Sequence, residues 1–573
     1  MAKLTDEEKS IFPLTNVESV VKLFKLHLER NEEPNLAICS IIIGCIENTL
    51  TCSRSFDIPE ETDEDESDTC KNALLTKLPI VEYDCVDALY QRFLSIIKAH
   101  IDVTAFGTPE FATRELVKRV SDVVWCTLSS SYYKDRAHLQ SIYSYMTGAK
   151  LDSSGTTLAV VASLQALGYH DAHLALSEDH TWVVCGENGG NNCRSKGNED
   201  KRGIPVTEEV YSKSWLYVNG RPVVCTRHME VATIISNMNP GINATTDSEE
   251  VILLQQALLW LLYDSGHLAK YPMAIDNLAD LEEMSSTIGR SPATKLYEEA
   301  ILSNIRYYGN QHVYPYTYLG GYCYRNRHYK LALRVWAKAA QVIRNYNYSR
   351  DDEEIYKEFL EIATELIPHL MRTSSSSNYR GCCVTSDPYC FAAFLEFYDG
   401  ICGWEENSPT PVLHIGWAKA LLTSIAKFDS GVRSKVTITC VEDPTEEEEE
   451  LEKGEPSVFG CFSTEDGAGH TGATHDQNGN TPTPLSAFLE ETVTSSKRRR
   501  CPEPSVRLYS AKMRGLKDLL LGDKLNSQAI SLQLTAQSQV TLTKKRERGV
   551  TLNTSEADHS HQIGRSKRTR RDT

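Results

Sequence analysis

The sequence has no long apolar stretch of the kind that crosses a membrane, and its first residues do not have the pattern of a secretion signal. A bilayer span needs roughly 18 or more consecutive apolar residues, and no window of the 573 residues approaches this. The first ten residues, MAKLTDEEKS, include acidic side chains where a signal peptide has basic and then apolar ones. We therefore expect a soluble protein that is neither secreted nor bound to a membrane.

The sequence also lacks the cysteine spacing of a structural metal site. Its 17 cysteines are scattered, the CxxC motif is absent, and the adjacent pair Cys382 and Cys383 has no ligand spacing around it. Reduced, mostly buried thiols are a better interpretation than disulfides or zinc. We therefore expect neither a metal nor a cofactor, with zinc bound by scattered cysteines as the alternative.

Positive charge is scarce in the body of the chain. The formal net charge is −18, and acidic runs occur at Asp57–Asp68 and Glu446–Glu452. A body that coats nucleic acid needs a basic face to neutralise phosphates, so this composition argues against such a body. A basic ligand is the better electrostatic match.

Basic residues are clustered only near the end of the chain. Short runs of this kind are typical of nuclear localisation signals, and they can also contact DNA phosphates without sequence specificity. Solvated charge in a disordered tail is the alternative. We expect nuclear localisation. The three clusters are Lys497, Arg498, Arg499 and Arg500; Lys544, Lys545 and Arg546; and Arg565, Lys567, Arg568, Arg570 and Arg571.

Apolar residues recur at helical spacing through most of the first 441 residues, which predicts a mainly α fold. Strand-like segments between Arg114 and Met229 predict one α+β domain. The expected parts are a helical N-terminal domain with an acidic loop (1–101), an α+β domain (102–230), a helical array (231–372), a second helical domain (386–441), a disordered linker (442–504), a helix and a strand that dock back (505–545) and a basic tail (546–573).

Local patterns predict individual elements within these parts. Helices are expected between Phe12 and Leu50 as a hairpin, at Tyr83–Ile101, Arg114–Leu128 and Gly155–Leu167, twice within Pro388–Phe428, and at Leu508–Leu521. Strands are expected at His173–Leu176, Thr181–Val184, Trp215–Val218 and Ile530–Ala536, and a linker at Thr373–Ser377.

One stretch of the helical array fits the tetratricopeptide pattern. Tyr316, Leu319 and Gly320 would lie in a first helix, followed by Ala332, Trp336 and Ala339 in a second. Small residues at these positions let two helices approach closely while aromatic residues fill the gap. The array is therefore expected to consist of stacked helical hairpins.

The α+β domain resembles the transglutaminase-like, or papain-related, enzyme core. In such enzymes a cysteine at a helix N-terminus is the nucleophile, and a histidine comes from the neighbouring strand. Here Ser153 stands at the cysteine position, and His180 would be the histidine. We favour a retained fold with an inactive site, and an acyl-transfer enzyme that uses the Ser153/His180 region is the alternative.

Two rows of side chains in the helical array are suited to peptide binding. Tyr314, Tyr318 and Tyr322 follow one another at intervals of one helical turn. Glu354, Glu358 and Glu361 share a helix face. Each row alone is more often a core stripe or a solvated face. Their occurrence in one helical array favours binding, because tyrosines supply rigid contact area and carboxylates pair with arginine.

Long strings in the sequence, in collinear order, resemble the menin family of nuclear tumour-suppressor scaffolds. The strings include Leu151–Gly155, His173–His180, Lys196–Asp200, Tyr271–Ala274, Asn277–Glu283, Asp352–Phe359, Ser408–Val412 and Leu532–Val540. The similarity covers nearly the whole chain and weakens in the acidic loop and from Glu442 to Pro504.

The resemblance implies an architecture and a set of partners. It implies an N-terminal domain, a transglutaminase-like thumb, a tetratricopeptide-like palm and C-terminal fingers around one central cavity. That cavity would bind an arginine-, aromatic- and proline-containing segment of a histone methyltransferase of the mixed-lineage-leukaemia class, and a JunD-type transcription factor would use the same pocket. The lens-epithelium-derived growth factor is a weaker inference. We expect a monomeric scaffold that regulates transcription and is not an enzyme.

The resemblance also implies the residues of the pocket. They are Asp135, Ser154, Leu176, Ser177, His180, Thr233, Ser236, Met273, Asn277, Tyr314, Thr317, Tyr318 and Trp336, with Glu354, Glu358 and Glu361 as an acidic rim. Three positions depart from the family pattern: Thr233, Ser236 and Thr317 stand where phenylalanine, cysteine and methionine are expected. A wider and wetter pocket is the expected consequence.

Overall fold

A computed structural model describes most of the chain in two compact units. The described residues are 4–52, 77–107, 110–129, 138–177, 180–186, 193–195, 221–241, 248–346, 354–376, 383–407, 415–441, 504–522 and 525–531. The first unit comprises Met1–Leu319, Tyr346–Tyr348 and Leu552–Thr573, and the second comprises Gly320–Asn345 and Ser349–Thr551. The division into seven parts expected from the sequence stays a prediction.

The first unit begins with a helical hairpin and a small sheet. Its elements are α1 (Asp6–Lys9), β1 (Leu14–Asn16), α2 (Val17–Leu28), α3 (Leu36–Cys52), β2 (Lys77–Val81) and α4 (Tyr83–His100). The predicted hairpin and the helix that follows it are thus confirmed. α3 is apolar around most of its circumference and is buried along most of its length, as expected for a helix in the middle of a core.

The α+β part of the first unit is built on one buried helix and a four-stranded sheet. Its elements are a 3₁₀ turn (Val103–Phe106), α5 (Arg114–Thr127), α6 (Ile142–Gly148), α7 (Ser153–Ala166), β3 (His173–Leu176), β4 (Thr181–Cys185), β5 (Cys193–Ser195) and β6 (Val223–Val224). The sheet is antiparallel with the order β5-β4-β3-β6. The predicted helices and the first two predicted strands are confirmed, and Trp215–Val218 lies outside the described residues.

Helices make up the rest of the first unit. They are α8 (Arg227–Ser236), α9 (Glu249–Asp264), α10 (Pro272–Met284), α11 (Ala293–Tyr308) and α12 (Tyr314–Arg325), whose last residues belong to the second unit. Asparagine, glycine and proline mark several of the turns, and Gly309 ends α11 with a φ of +58°. A glycine adopts this left-handed conformation without the steric cost that a Cβ adds.

The second unit packs long helices around aromatic side chains. Its elements are α13 (Tyr329–Arg344), α14 (Glu354–Glu361), a π-turn (Ile362–Leu366), α15 (Ile367–Ser376), a 3₁₀ turn (Val384–Ser386), α16 (Pro388–Asn407), α17 (Ile415–Ile425), α18 (Ser430–Arg433), β7 (Thr437–Cys440), β8 (Ser505–Leu508), α19 (Ala511–Arg514) and α20 (Lys517–Leu521). The two apolar helices predicted within Pro388–Phe428 are confirmed as α16 and α17.

Three local predictions in the second unit are wrong. The expected linker Thr373–Ser377 is helical through Ser376, because Leu370 and Met371 are buried and the Thr373 hydroxyl donates to the carbonyl of His369 within the helix. The expected helix Leu508–Leu521 is a strand end followed by two short helices. Ile530 lies in a helical stretch, 527–531, rather than in a strand, and residues 532–573 lie outside the described part.

The predicted return of the C-terminal segment to the body is confirmed for residues 504–522. β8 pairs with β7 in parallel, with Ile438 opposite Val506. Val506, Leu508, Met513 and Leu520 are buried.

The described residues contain no helix long and apolar enough to cross a bilayer. Within the same part of the chain, no group of three or more His, Cys, Asp or Glu side chains is arranged to hold a metal ion.

Candidate functional site

The expected binding residues fall into both units. In the first unit they are Ser154, Leu176, Ser177, His180, Thr233, Ser236, Met273, Asn277, Tyr314, Thr317 and Tyr318, and in the second unit Trp336, Glu354, Glu358 and Glu361. Asp135 and the three basic clusters lie outside the described residues.

A polar seam at the C-terminal end of α8 joins three of the first-unit residues. The side-chain amide of Asn277, on α10, donates to the carbonyl of Ser236 at 3.2 Å. The side-chain amide of Asn237 donates to the hydroxyl of Ser154, at the start of α7, also at 3.2 Å. The structure therefore brings Ser154, Ser236 and Asn277 together, and α7, α8 and α10 hold them.

A buried carboxylate that was not predicted from the sequence supports this seam. Glu47 on α3 is 2% exposed, and its Oε1 accepts from the His138 ring, the Gln140 amide and the backbone N–H of Asn239 at 2.8–2.9 Å. Gln140 also donates to the carbonyl of Asn237. A single acid in an otherwise apolar helix is the signal that would have identified it, because a buried carboxylate needs several donors.

Two of the three residues that depart from the family pattern, Thr233 and Thr317, make hydrogen bonds within the first unit. Thr233 lies 3.1 Å from the Tyr271 hydroxyl and donates to the carbonyl of Met229, while Thr317 donates to the carbonyl of Tyr314. Both threonines are buried. Ser236 is also buried, and its hydroxyl makes no hydrogen bond with any other described residue. Thr233 and Thr317 thus place polar atoms in the unit without leaving them unsatisfied.

Six of the first-unit residues are accessible enough to contact a ligand. Ser154, His180, Met273, Asn277, Tyr314 and Tyr318 are half-buried, whereas Leu176, Ser177, Thr233, Ser236 and Thr317 are buried. The Tyr314 and Tyr318 rings lie 6.0 Å apart at 51°, and the His180 ring stacks on Trp182 at 5.6 Å. Rigid, partly exposed rings of this kind lose little conformational entropy when they bind a ligand.

The N-terminus of α7 is capped by a carboxylate from the chain itself. Asp152 Oδ1 accepts from the backbone N–H of Gly155 at 2.6 Å, and burial raises the pKa of Asp152 above its ordinary value. The Thr157 hydroxyl, near the start of α7, lies 3.5 Å from the carbonyl of Thr181, so this end of the helix lies beside the start of β4. The first helical residue is Ser153, whose hydroxyl titrates far above a cysteine thiol. The arrangement therefore supplies no thiolate at this position.

The acidic row of the second unit lies on one side of an amphipathic helix. Ile355, Tyr356 and Phe359 of α14 are buried, while Glu354 is exposed and Glu358 and Glu361 are half-buried. The Lys357 ammonium lies 3.9 Å from Glu354. The shared face predicted for the three glutamates therefore agrees with the burial pattern, because the apolar side chains occupy the other face.

Trp336 is a core residue of the second unit. It is 1% exposed, and its indole ring lies against Gly320, where a Cβ would meet the ring at 2.4 Å. The ring also lies 5.7 Å from that of Tyr324, whose hydroxyl bonds to His369. This close contact is the packing of a small residue against an aromatic ring that the sequence pattern predicted.

Comparison with known proteins identifies the family. The sequence matches the Menin family over residues 6–500 and 490–568. The fold is similar to that of a solved crystal structure of menin, which reveals that protein's binding site for Mixed Lineage Leukemia (MLL) protein. The match has 42% identity and a TM-score of 0.67, and it covers 91% of this chain and 99% of that chain. The mainly helical fold with small sheets is shared, and the chain belongs to the menin family.

Proposed function

We propose that this protein is a nuclear scaffold that binds a short segment of a histone methyltransferase of the mixed-lineage-leukaemia class. The observation that carries the proposal is the similarity to a menin structure with a binding site for MLL protein, over nearly the whole chain. The ligand would be a basic, aromatic and proline-containing segment. Its binding would connect chromatin complexes to transcription.

The chemistry of the candidate residues supports this ligand. The carboxylates of Glu358 and Glu361, with Glu354 nearby on the same helix, suit arginine side chains, which pair with carboxylates in bidentate geometry. The half-buried Tyr314 and Tyr318 rings suit an aromatic or proline side chain. The net charge of −18 favours the approach of a basic segment at long range.

Further partners and the nuclear location are part of the same proposal. A JunD-type transcription factor would bind the same residues, and the lens-epithelium-derived growth factor would bind the N-terminal helices. The three basic clusters would direct nuclear import and would contact DNA nonspecifically. These clusters lie outside the described residues, so their sequence alone supports this part of the proposal.

We infer that the protein acts without catalysis. The transglutaminase-like arrangement of α7 and β4 and the tetratricopeptide-like pair α12 and α13 would serve as framework. A serine at the start of α7 and an Asp152 carboxylate that already caps the helix favour framework over acyl transfer.

The proposal is tested by reversing the charge of the acidic row. In Glu358→Lys/Glu361→Lys we expect binding of an arginine-containing methyltransferase peptide, measured by calorimetry, to fall below detection. The unfolding temperature should change much less than the affinity, because the buried face of α14 is formed by Ile355, Tyr356 and Phe359 and not by the two glutamates.

The matched control is Glu29→Lys/Glu110→Lys, which changes the net charge equally at two exposed positions of the first unit. This variant should bind with nearly unchanged affinity. Equal affinities of the two charge-reversed proteins would show that the acidic row of α14 does not bind the peptide.

A further inference from the structure

A proline interrupts the helix that carries the acidic row. α14 continues through the π-turn into α15, and Pro368 is the second residue of α15. In a regular α-helix, Pro368 would leave the carbonyl of Thr364 without a donor, and its ring would clash with that carbonyl. The wider turn avoids this conflict, because Ile367 N–H donates five residues back, to the carbonyl of Ile362.

The π-turn leaves one carbonyl to be satisfied by another helix. In the i to i+5 pattern the carbonyl of Ala363 would accept from residue 368, which is the proline and has no N–H. The Tyr398 hydroxyl on α16 instead donates to the carbonyl of Ala363 at 2.8 Å. Both residues are fully or almost fully buried. Tyr398 therefore replaces the donor that the proline lacks.

The apolar pattern shows why the wider turn is needed. Five buried residues lie four positions apart: Ile355, Phe359, Ala363, Ile367 and Met371. In a straight α-helix each step of four residues turns the side-chain direction by about 40° around the axis. The five side chains would therefore spread over about 160° of the helix circumference. A turn that contains more residues than an α-helical turn rotates the following side chains in the opposite direction. The π-turn therefore lets both halves of the helix face the same core.

The orientation of the acidic row depends on the same turn. Glu354, Glu358 and Glu361 all precede the π-turn, and Glu361 is the residue immediately before it. The direction of their carboxylates is thus determined by the rotation of α14 relative to α15. This rotation would change if the turn reverted to α-helical hydrogen bonding.

We propose that Tyr398 and Pro368 are positioning residues for the acidic row: they hold the π-turn that directs Glu358 and Glu361 towards a cationic ligand. The inference rests on the proposed function. Tyr398 acts only through the carbonyl of Ala363 and does not itself contact the ligand.

The test is a double-mutant cycle on the full chain with the arginine-containing peptide, read by calorimetry. In the wild-type background we expect Tyr398→Phe to weaken binding roughly fivefold, within the range of coupling energies between contacting residues. In the background Glu358→Gln/Glu361→Gln the same substitution should change affinity less than about twofold. Tyr389→Phe, which removes a hydroxyl from an exposed ring on the same helix, is the matched control.

A second variant covers the case in which Tyr398→Phe does not fold. Pro368→Ala restores an N–H and permits regular α-helical hydrogen bonding, so it should also weaken binding in the wild-type background and not in the Gln background. Equal losses in both backgrounds, or no loss in either, would overturn the positioning role.

Failure of the proposed function would give a different result from failure of the positioning role. If the two Gln substitutions alone leave affinity unchanged, the acidic row does not bind the peptide, and amide hydrogen exchange then decides the structural part of the inference. Faster exchange at residues 362–367 in Tyr398→Phe than in Tyr389→Phe supports the positioning role, and equal exchange overturns it.

Discussion

Gly320 shows how one missing side chain controls the packing of two helices. A Cβ at this position would lie 2.4 Å from Cδ1 and Nε1 of Trp336, a side chain that is 1% exposed. Real Cβ atoms do not approach so closely, so the ring or the helix would have to move. The adjacent Gly321 is different, because a Cβ there would meet only the end of the flexible Arg325 side chain, at 3.2 Å.

We predict that Gly320→Ala destabilises the protein by about 1–3 kcal/mol, the usual cost of overpacking a core. Gly321→Ala is the matched control. It should be neutral or stabilising by up to about 1 kcal/mol, because alanine is the better helix former. Urea unfolding measures both, and a stable Gly320→Ala variant would show that Trp336 has room to move.

Single buried polar residues were the hardest to predict from sequence. Glu47 and Tyr398 each act through donors or acceptors more than 30 positions away in the chain, Gln140 and Ala363 among them. A local pattern shows that such a residue is unusual in its helix. It does not show which partner satisfies it, because the partner comes from another element.

At the scale of elements, carboxylates of α16 hold the C-terminal segment in place. Asp399 accepts from the backbone N–H groups of Tyr509 and Ser510 and from the Ser510 hydroxyl, at 2.9–3.1 Å. Glu406 accepts from the first two N–H groups of α19. The position of the C-terminal segment therefore depends on these hydrogen-bond acceptors as well as on its own buried apolar side chains.

We predict that Asp399→Asn loosens residues 505–514 and costs about 1–3 kcal/mol, because the amide turns a donor towards backbone N–H groups. Limited proteolysis and amide exchange of this segment would measure the effect. Glu396→Gln, three residues earlier on α16, is the control. Similar protection in the two variants would contradict the role assigned to Asp399.

Helices with a clear apolar period were predicted from the sequence, and short or irregular elements were not. α5 and α7 match their predicted ranges within two residues at each end. Leu508–Leu521 was predicted as one helix, but Leu508 pairs with Cys440 of β7 instead. Strand pairing with a partner 68 residues earlier overrides local helical preference, and that partner is not apparent in the local pattern.

At the scale of the whole molecule, a group of buried carboxyls makes stability depend on pH. Burial raises the pKa of Glu405 to about 7, although the neighbouring Lys512 ammonium at 2.9 Å opposes the shift. Burial likewise raises the pKa values of Asp399 and Glu406, which backbone N–H groups oppose. Each of these carboxyls therefore holds its proton to a higher pH in the folded protein than in the unfolded chain.

The raised pKa of Glu405 stabilises the folded protein. This stabilisation is complete below about pH 4.5 and is lost as the pH rises through about 7. Glu405 therefore lowers the free energy of unfolding between pH 5 and pH 8. We predict that Glu405→Gln reduces this fall by about 1–2 kcal/mol, whatever its effect on absolute stability. Urea unfolding at both pH values measures it. The exposed Glu365→Gln is the control, and an unchanged slope in Glu405→Gln would contradict the prediction.

The family, the mainly helical class and most long helices were predicted from the amino-acid sequence, because these depend on long collinear strings and on apolar periodicity. The sequence also indicated an acidic face on α14, which needs only helical spacing. The tertiary structure decided the π-turn, the seam around Ser236 and Asn277 and the docking of residues 504–522. Each of these joins donors and acceptors from distant parts of the chain, and only packing brings such groups within hydrogen-bonding distance.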